Sequence, residues 1–409
     1  MTESRTTSHR TGEPSRPRLL TAPLARVLAA SFGALSSFYL LLSVIPMLAT
    51  SAGSDGSAGI VTGVLMFGGV LAELATPRLM ARLGARRVLA IGLVLLGTPA
   101  LLLIASEQPA VVVAVCAVRG LGFGLTVVAS GSLVVSLVPP ERRGEGLGVF
   151  GVVASAPGIV ALPAGVWLAD HAGYPLVFAL AALAALGGLA AQIGSSRLSE
   201  YEAQSSADKP AGLLDGLRAG SQMRLALAFV ATTVAAGIVV AFLPLAGISS
   251  AAGAGALLVQ AVAATVGRWA AGRHGDRKGH SRLLVPGLVT TAAGMTLLAG
   301  AANPVMLMLG AALFGVGFGA TQCVTLAMMI ERVDRSGYGM VNAVWNLAYD
   351  LGYGAGPVAF GALVGRTGYP AVFAVTGVLV LTALVPALRD RPRTRTTRVA
   401  AVALGTAAL

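Results

Sequence analysis

Long apolar runs that alternate with short polar and basic segments are the dominant pattern along the chain. A transmembrane helix needs about 20 largely apolar residues to cross the hydrocarbon core, and twelve stretches meet that requirement. Their predicted limits are 26–49, 57–77, 88–105, 109–138, 146–168, 174–195, 223–247, 252–271, 283–301, 304–330, 340–364 and 370–388. The pattern therefore predicts an all-α membrane protein with twelve transmembrane helices.

The composition supports a membrane location and excludes several soluble classes of protein. Of the 409 residues, 56% are hydrophobic and 11% are charged, whereas a soluble domain carries roughly 25% charged residues. The formal charge of +12 falls in short clusters between apolar segments, so we expect no nucleic-acid partner, which would need one basic soluble face. Cys116 and Cys323 lie in apolar runs without a CxxC pattern, which argues against a disulfide framework or a zinc site.

The distribution of Lys and Arg predicts the orientation of the helices in the membrane. Of the 29 cations, all but Arg119 and Arg366 fall in the two tails or in loops on a single side, and short loops rich in these residues stay cytoplasmic. We therefore expect a multi-pass protein of the cell membrane with both termini in the cytoplasm. The predicted organisation is a disordered tail over 1–25, a six-helix bundle over 26–196, a cytoplasmic linker over 197–222, a second six-helix bundle over 223–388 and a tail over 389–409.

Three sequence blocks recur at one offset of 195 residues, which indicates an internal repeat. Three matches in a single register predict two pseudo-symmetric six-helix bundles in parallel orientation, an arrangement found in transporters that rock two bundles around a central site. The matched blocks are Gly84 with Gly279, 120–124 with 315–319, and 173–178 with 368–373.

The basic loops after spans 2 and 8 carry two copies of one motif, G-x-x-x-D-(R/K)-x-G-x-(R/K)-(R/K). The first copy has Pro77 and Ala81 in place of the Gly and the Asp, and it retains Arg82, Gly84, Arg86 and Arg87. The second copy departs only at Ser281, and it retains Gly272, Asp276, Arg277, Gly279 and Arg282. With its six-plus-six plan, the chain resembles the major facilitator superfamily of secondary transporters over its whole length. The resemblance implies a gating loop that steadies one conformation through charge contacts with a neighbouring helix end. Solvated loops on the cytoplasmic side would also explain the arginines.

Three ionisable residues, Glu73, Arg119 and Asp350, stand inside predicted spans, where a charge costs about 2.5–3.5 kcal/mol on insertion scales. Arg119 and Asp350 share a depth near the middle of the membrane in opposite halves. Arg119 also resembles the arginine of the family's fourth-helix motif, which is associated with proton coupling. We expect Asp350 to take up and release a proton while Arg119 stabilises its charged form in one conformation. Alternatively, Arg119 bonds to carbonyl groups and locks spans together.

Glu73 lies in the cytoplasmic third of span 2, from where it can reach Arg78 or Arg82. We therefore expect it to form a salt bridge on the gate side in preference to carrying a proton. A polar stripe in span 11, at helical spacing with Asp350, is predicted to line a substrate cavity, and interhelical hydrogen bonding is an equally good explanation. The cavity candidates are Asn342, Asn346, Tyr349, Gln322 and Gln260.

No catalytic constellation, nucleotide-binding motif or metal-ligand cluster is visible, so we expect a protein that is not an enzyme and needs no cofactor and no metal. Span 5 partly matches the Gly-Pro motif of the family's exporters, with Gly158 and Pro163 in place and Leu162 where a glycine is usual. The expected function is export of a small molecule by proton antiport, with the bilayer and protons as its other partners and a monomer as its form. Uptake of a nutrient, proton-linked or passive, is the alternative, and a membrane sensor that only binds its ligand is a second one.

Overall fold

The computed structural model describes residues 20–51, 56–138, 142–192, 220–246, 249–334 and 337–389. The predicted tails, apart from the few residues at their inner ends, and most of the predicted linker lie outside the described residues. Within these ranges eleven helical segments are long and apolar enough to cross a membrane. We label the crossings α1 (Ala22–Ser51), α2 (Gly56–Leu83), α3 (Ala85–Ala105), α4 (Pro109–Leu137), α5 (Arg143–Ala172), α6 (Tyr174–Ala191), α7 (Gly220–Leu245), α8 (Ser250–Lys278), α9 (Ser281–Leu298), α10 (Pro304–Ile330), α11 (338–367) and α12 (369–389).

The last continuous segment, Tyr338–Arg389, crosses the membrane twice. Its 52 residues would extend about 78 Å at 1.5 Å per residue, far beyond a hydrocarbon core of about 30 Å. At Gly368 the backbone leaves the helical region, with φ 75° and ψ 163°, and this break separates α11 from α12. The prediction of twelve transmembrane helices is therefore confirmed.

Local sequence signals set where several helices begin. Asn303 caps α10 by accepting a hydrogen bond from the backbone N–H of Val305 at 2.9 Å, and Pro304 follows in the first turn. Ser249 caps α8 in the same way through the N–H of Ala252 at 3.2 Å. Proline is favoured in a first turn because its missing N–H has no partner there in any case.

Backbone geometry confirms the internal repeat. In the part of the chain that the structure describes, the left-handed region is occupied at four glycines, Gly84, Gly173, Gly279 and Gly368. They form two pairs at the repeat offset, and each opens the helix that follows a tight turn. A side chain is strained at such φ values, so the same two turns demand glycine in both halves.

Helix packing repeats with the same register. In α4, Gly120 lies against the carbonyl oxygen of Leu65, and its counterpart in α10, Gly315, lies against that of Gln260, which is the repeat equivalent of Leu65. Gly122 and Gly317 likewise approach equivalent backbone atoms of α3 and α9. Glycine at these places lets the helix backbones come close. Each half is therefore a six-helix bundle with its fourth helix wedged between its second and third.

Candidate functional site

The two halves are closed against each other at the end of the bundle where α2 begins. The Ser43 hydroxyl of α1 donates to the carbonyl oxygen of Val240 in α7 at 2.6 Å, and Ser250 of α8 donates to Asp170 of α5 at 3.0 Å. Between α2 and α11, a methyl group on Gly59 would collide with the carbonyl oxygen of Pro357. Three helix pairs from opposite halves thus seal this end.

At the other end, which carries the basic loops, the space beside the helices is open. The cavity lining extends toward this end, since it includes Ser31 near the start of α1, Ser130 near the end of α4 and Phe150 near the start of α5. The cavity between the halves is therefore reached from this end. The predicted orientation puts the basic loops in the cytoplasm, and in that orientation this open end is the inward one.

The cavity between the halves has a volume of about 340 Å³, which is within the range of small-molecule sites. Both halves contribute to its wall, through α1, α2, α4 and α5 on one side and α7, α8, α10 and α11 on the other. Its polar and charged lining side chains are Ser31, Tyr39, Glu73, Thr126, Ser130, Ser155, Gln260, Thr265, Arg268, Gln322, Asn346, Tyr349, Asp350 and Tyr353.

Two carboxyl groups meet in the cavity wall. Glu73 of α2 and Asp350 of α11 are within side-chain hydrogen-bonding reach of each other, and Asp350 is only 5% exposed. This contact corrects the expectation for Glu73: within the described ranges it forms no salt bridge with Arg78 or Arg82. The physical reason is the close packing of α2 on α11, which turns Glu73 toward the cavity instead of the loop.

Arg119 lies away from this pair. Its guanidinium donates to the carbonyl oxygens of Ser37 in α1 and Leu96 in α3, and its side chain is 1% exposed. Among the described residues it makes no contact with Asp350 in this conformation, and the pairing expected in one conformation stays a prediction. The geometry matches the alternative, a buried arginine that ties α4 to two neighbouring helices. A role of Arg119 in proton coupling stays a prediction.

Arg268 of α8 is a charged cavity residue that the sequence reasoning missed, because it was counted with the cations of the following loop. The structure places it in the cavity wall, where it donates a hydrogen bond to the side-chain oxygen of Gln322. Two signals were available. Arg268 lies inside the predicted span 252–271, and it follows Gln260 by about two helical turns on the same face.

Aromatic rings supply much of the remaining wall. Phe38 stacks on Phe123 with their ring centroids 3.9 Å apart, and Tyr349 stacks on Tyr353 at 5.3 Å. Trp345 is part of the same wall and donates from its indole nitrogen to the hydroxyl of Thr325 at 3.2 Å. The cavity thus combines apolar, stackable surface with a few charged groups, the usual composition of a site for an amphipathic small molecule.

The other sequence candidates fall into two groups. Asn346, Tyr349, Gln322 and Gln260 line the cavity, and their contact with substrate stays a prediction. Asn342 is exposed and outside the cavity, which corrects its inclusion in the lining stripe. It stands in the second turn of α11, about two turns from Asp350 toward the open end, so it lies outside the mouth of the cavity.

The predicted gating loops make contacts within their own halves. Gly84 and Gly279 form the left-handed turns, and Arg86 donates to the carbonyl oxygen of Gln192 at 2.7 Å. In the second loop His280 lies 3.7 Å from Asp276 and 2.8 Å from Glu331. The gating role of these loops stays a prediction, and the remaining members of the set are Arg82, Arg87, Gly272, Arg277 and Arg282.

Twelve crossings in two parallel repeats around a closed-ended central cavity define a secondary transporter of the two-bundle type. The model of the Major Facilitator Superfamily matches residues 27–280 and 225–408, and the chain belongs to that superfamily.

Three comparisons describe its similarity to known proteins. It is 26% identical over 400 residues to an uncharacterized MFS-type transporter of Mycobacterium tuberculosis, covering 91% of this chain and 88% of the relative. It is 35% identical over 109 residues, 27% of each chain, to the multi-drug resistance efflux pump PmrA of Streptococcus pneumoniae. The xylose transporter XylE from E. coli, in a partially occluded inward open conformation, shares the fold with a TM-score of 0.72 at 14% identity, over 92% of this chain and 99% of that one.

Proposed function

We propose that this transporter exports a small amphipathic molecule across the cell membrane in exchange for protons, as a monomer with both termini in the cytoplasm. The observation that carries the proposal is the contact between the carboxyl groups of Glu73 and Asp350 in the wall of the cavity. Two carboxylates in contact cannot both stay ionised without strong repulsion, so such a pair holds a proton between them. The proton site and the substrate site then share one cavity.

The pair stands at the end of the interface between α2 and α11. Along this interface Gly56 lies against Gly361, Gly59 against Pro357 and Gly63 against Val358. The contact between Glu73 and Asp350 lies beyond these, nearest the open end. A shared proton holds this interface together and favours the inward-facing state. Loss of the proton leaves two like charges in contact, which separates α2 from α11 and favours opening on the other side.

Substrate is exchanged for protons because both compete for the carboxyl groups of Glu73 and Asp350. A substrate with a basic group that enters from the cytoplasmic side is stabilised by the carboxylates and displaces their proton. The loaded carrier turns outward, and protonation from outside releases the substrate and returns the carrier. The similarity to an efflux pump over part of the chain supports export as the direction.

The experiment that tests this proposal uses proteoliposomes with a pH-sensitive dye in the lumen and a panel of antibiotics, sugars and metallophores. Antiport predicts that the lumen becomes alkaline as a substrate enters, symport predicts acidification, and passive uptake predicts no change. Asp350→Asn and Glu73→Gln are expected to abolish the proton movement. The control is Glu107→Gln, since Glu107 is exposed in the loop between α3 and α4. Substrate movement by wild type without any pH change would overturn the proposal.

A further inference from the structure

The charged groups of the cavity are segregated on opposite walls. Glu73 and Asp350 form the acidic wall on α2 and α11, and Arg268 with Gln322 forms the basic wall on α8 and α10. Arg268 is the repeat equivalent of Glu73, at the offset of 195 residues. Parallel repeats are related by an axis along the membrane normal, so equivalent positions lie at one depth on opposite sides of the cavity. Opposite charges therefore face the same central space.

Arg268 is available to a ligand. Its residue is exposed toward the open cavity, and its one hydrogen bond, to Gln322, has a neutral acceptor. Within the described part of the chain it forms no ion pair. Gln322 thus orients the guanidinium without neutralising it. A guanidinium has five N–H donors in a planar fork that matches a carboxylate or a phosphate, and one of them is used here.

Aromatic surface lines the same cavity. Phe38, Phe123 and Trp345 belong to its wall, and rings of this kind bind a flat apolar body. A ligand that fills the cavity thus meets a carboxyl pair, aromatic rings and a guanidinium.

We infer that Arg268, oriented by Gln322, is the anchor for an acidic group of the substrate, and that the cavity selects zwitterionic amphipathic molecules with a basic group for Glu73 and Asp350 and an aromatic body between. The binding of the substrate's basic group by Glu73 and Asp350 rests on the proposed function, because the carboxyl pair is the proton site there. The binding of the substrate's acidic group by Arg268 rests only on the geometry of Arg268 and Gln322.

Binding to the purified full-length protein in detergent at neutral pH tests the inference with three matched probes. 6-(Aminomethyl)-2-naphthoic acid is zwitterionic with its two charges at opposite ends of the ring system, 2-naphthylmethylamine is the same molecule without the carboxylate, and 2-naphthoic acid is the same molecule without the aminomethyl group. Wild type is expected to bind the zwitterion about tenfold or more tightly than either singly charged probe, since a hydrogen bond to a charged group contributes about 1.5–3 kcal/mol. Isothermal titration calorimetry gives the affinity for each probe.

The variants test the basic wall. Arg268→Gln is expected to bind the zwitterion and 2-naphthylmethylamine equally, and Arg268→Lys to keep a reduced preference because a lysine lacks the planar fork. Arg273→Gln is the control on the same helix, since Arg273 lies outside the cavity with its guanidinium 6.0 Å from the ring of Trp269. Each variant is compared with wild type for thermal unfolding, so a misfolded protein is recognised.

Three results would overturn the inference: no binding of the zwitterion by wild type, equal affinity for the three probes, or an Arg268→Gln variant that keeps the wild-type preference. The test needs no proton gradient and no transport. If proton movement fails in proteoliposomes while the charge preference is lost in Arg268→Gln, the proposed coupling is wrong and the anchor stands. If proton movement is observed in proteoliposomes while Arg268→Gln keeps the wild-type charge preference, the proposed coupling stands and Arg268 is not the anchor.

Discussion

Removal of the ionisable groups at the α2–α11 interface is expected to uncouple the conformation of this transporter from pH. Glu73 and Asp350 meet in the cavity wall. Two unit charges about 4 Å apart repel by about 4 kcal/mol at an effective dielectric constant of 20. Since 1.4 kcal/mol is a factor of ten, full ionisation shifts the conformational equilibrium about a thousandfold away from the inward-facing state.

The assay is a distance measurement across the open end. Spin labels on Gly131→Cys in α4 and Gly339→Cys in α11 occupy places with open space around them, in a protein whose native Cys116 and Cys323 are replaced by alanine. Wild type is expected to give long distances at acidic pH and short distances at alkaline pH, as ionisation of the pair opens the sealed end and closes this one.

The double variant Glu73→Gln/Asp350→Asn keeps the size of both side chains and removes their charges. It is expected to stay inward-facing, with long distances at every pH. His171→Gln is the matched control, because His171 lies 3.7 Å from Asp170 at the sealed end, away from the carboxyl pair. A double variant that shifts with pH as wild type does would refute the reasoning.

Two further predictions concern stability and are checked by thermal unfolding of the purified protein. Arg119→Leu leaves the carbonyl oxygens of Ser37 and Leu96 without their donor, which costs about 1–3 kcal/mol for each buried group, so its unfolding temperature falls clearly; an unchanged value would remove the helix-tying role. Gly120→Ala forces a methyl group onto the carbonyl oxygen of Leu65 and is expected to lose about 1–3 kcal/mol by overpacking. Gly131→Ala in the same helix meets open space and is expected to gain about 0.5–1 kcal/mol, because alanine favours a helix over glycine; equal effects of the two alanines would contradict the packing.

The fold could be predicted from the sequence because it depends on features that can be read directly along the chain. Apolar run length sets the crossings, and the repeat offset predicts two halves. Gly173 and Gly368 are an example at the level of single residues, since they begin matched sequence blocks and form the same left-handed turn in both halves. The break at Gly368 even falls between the two spans predicted on either side of it.

The site was predicted in part, because contacts between helices depend on rotation and tilt that periodicity does not supply. Asp350, Gln260 and Gln322 line the cavity because polar residues in a span turn away from lipid, and their roles in transport stay predictions. The partner of Asp350 was not found: a charge at equal depth suggested Arg119, but that side chain turns to α1 and α3. Arg268 was missed because it stands near the end of the predicted span 252–271 and was counted with the cations of the following loop. Hydropathy alone does not tell which cations near a helix end face the cavity.

The most direct test of the central claim is the number of protons released when a substrate binds. A substrate identified in the proteoliposome panel is added to purified protein in weakly buffered detergent solution, and a pH-sensitive dye records the proton yield. Exchange at the Glu73–Asp350 pair predicts about one proton for each substrate bound by wild type and none for Asp350→Asn. Binding by wild type without proton release, or equal release by Asp350→Asn, would contradict the account.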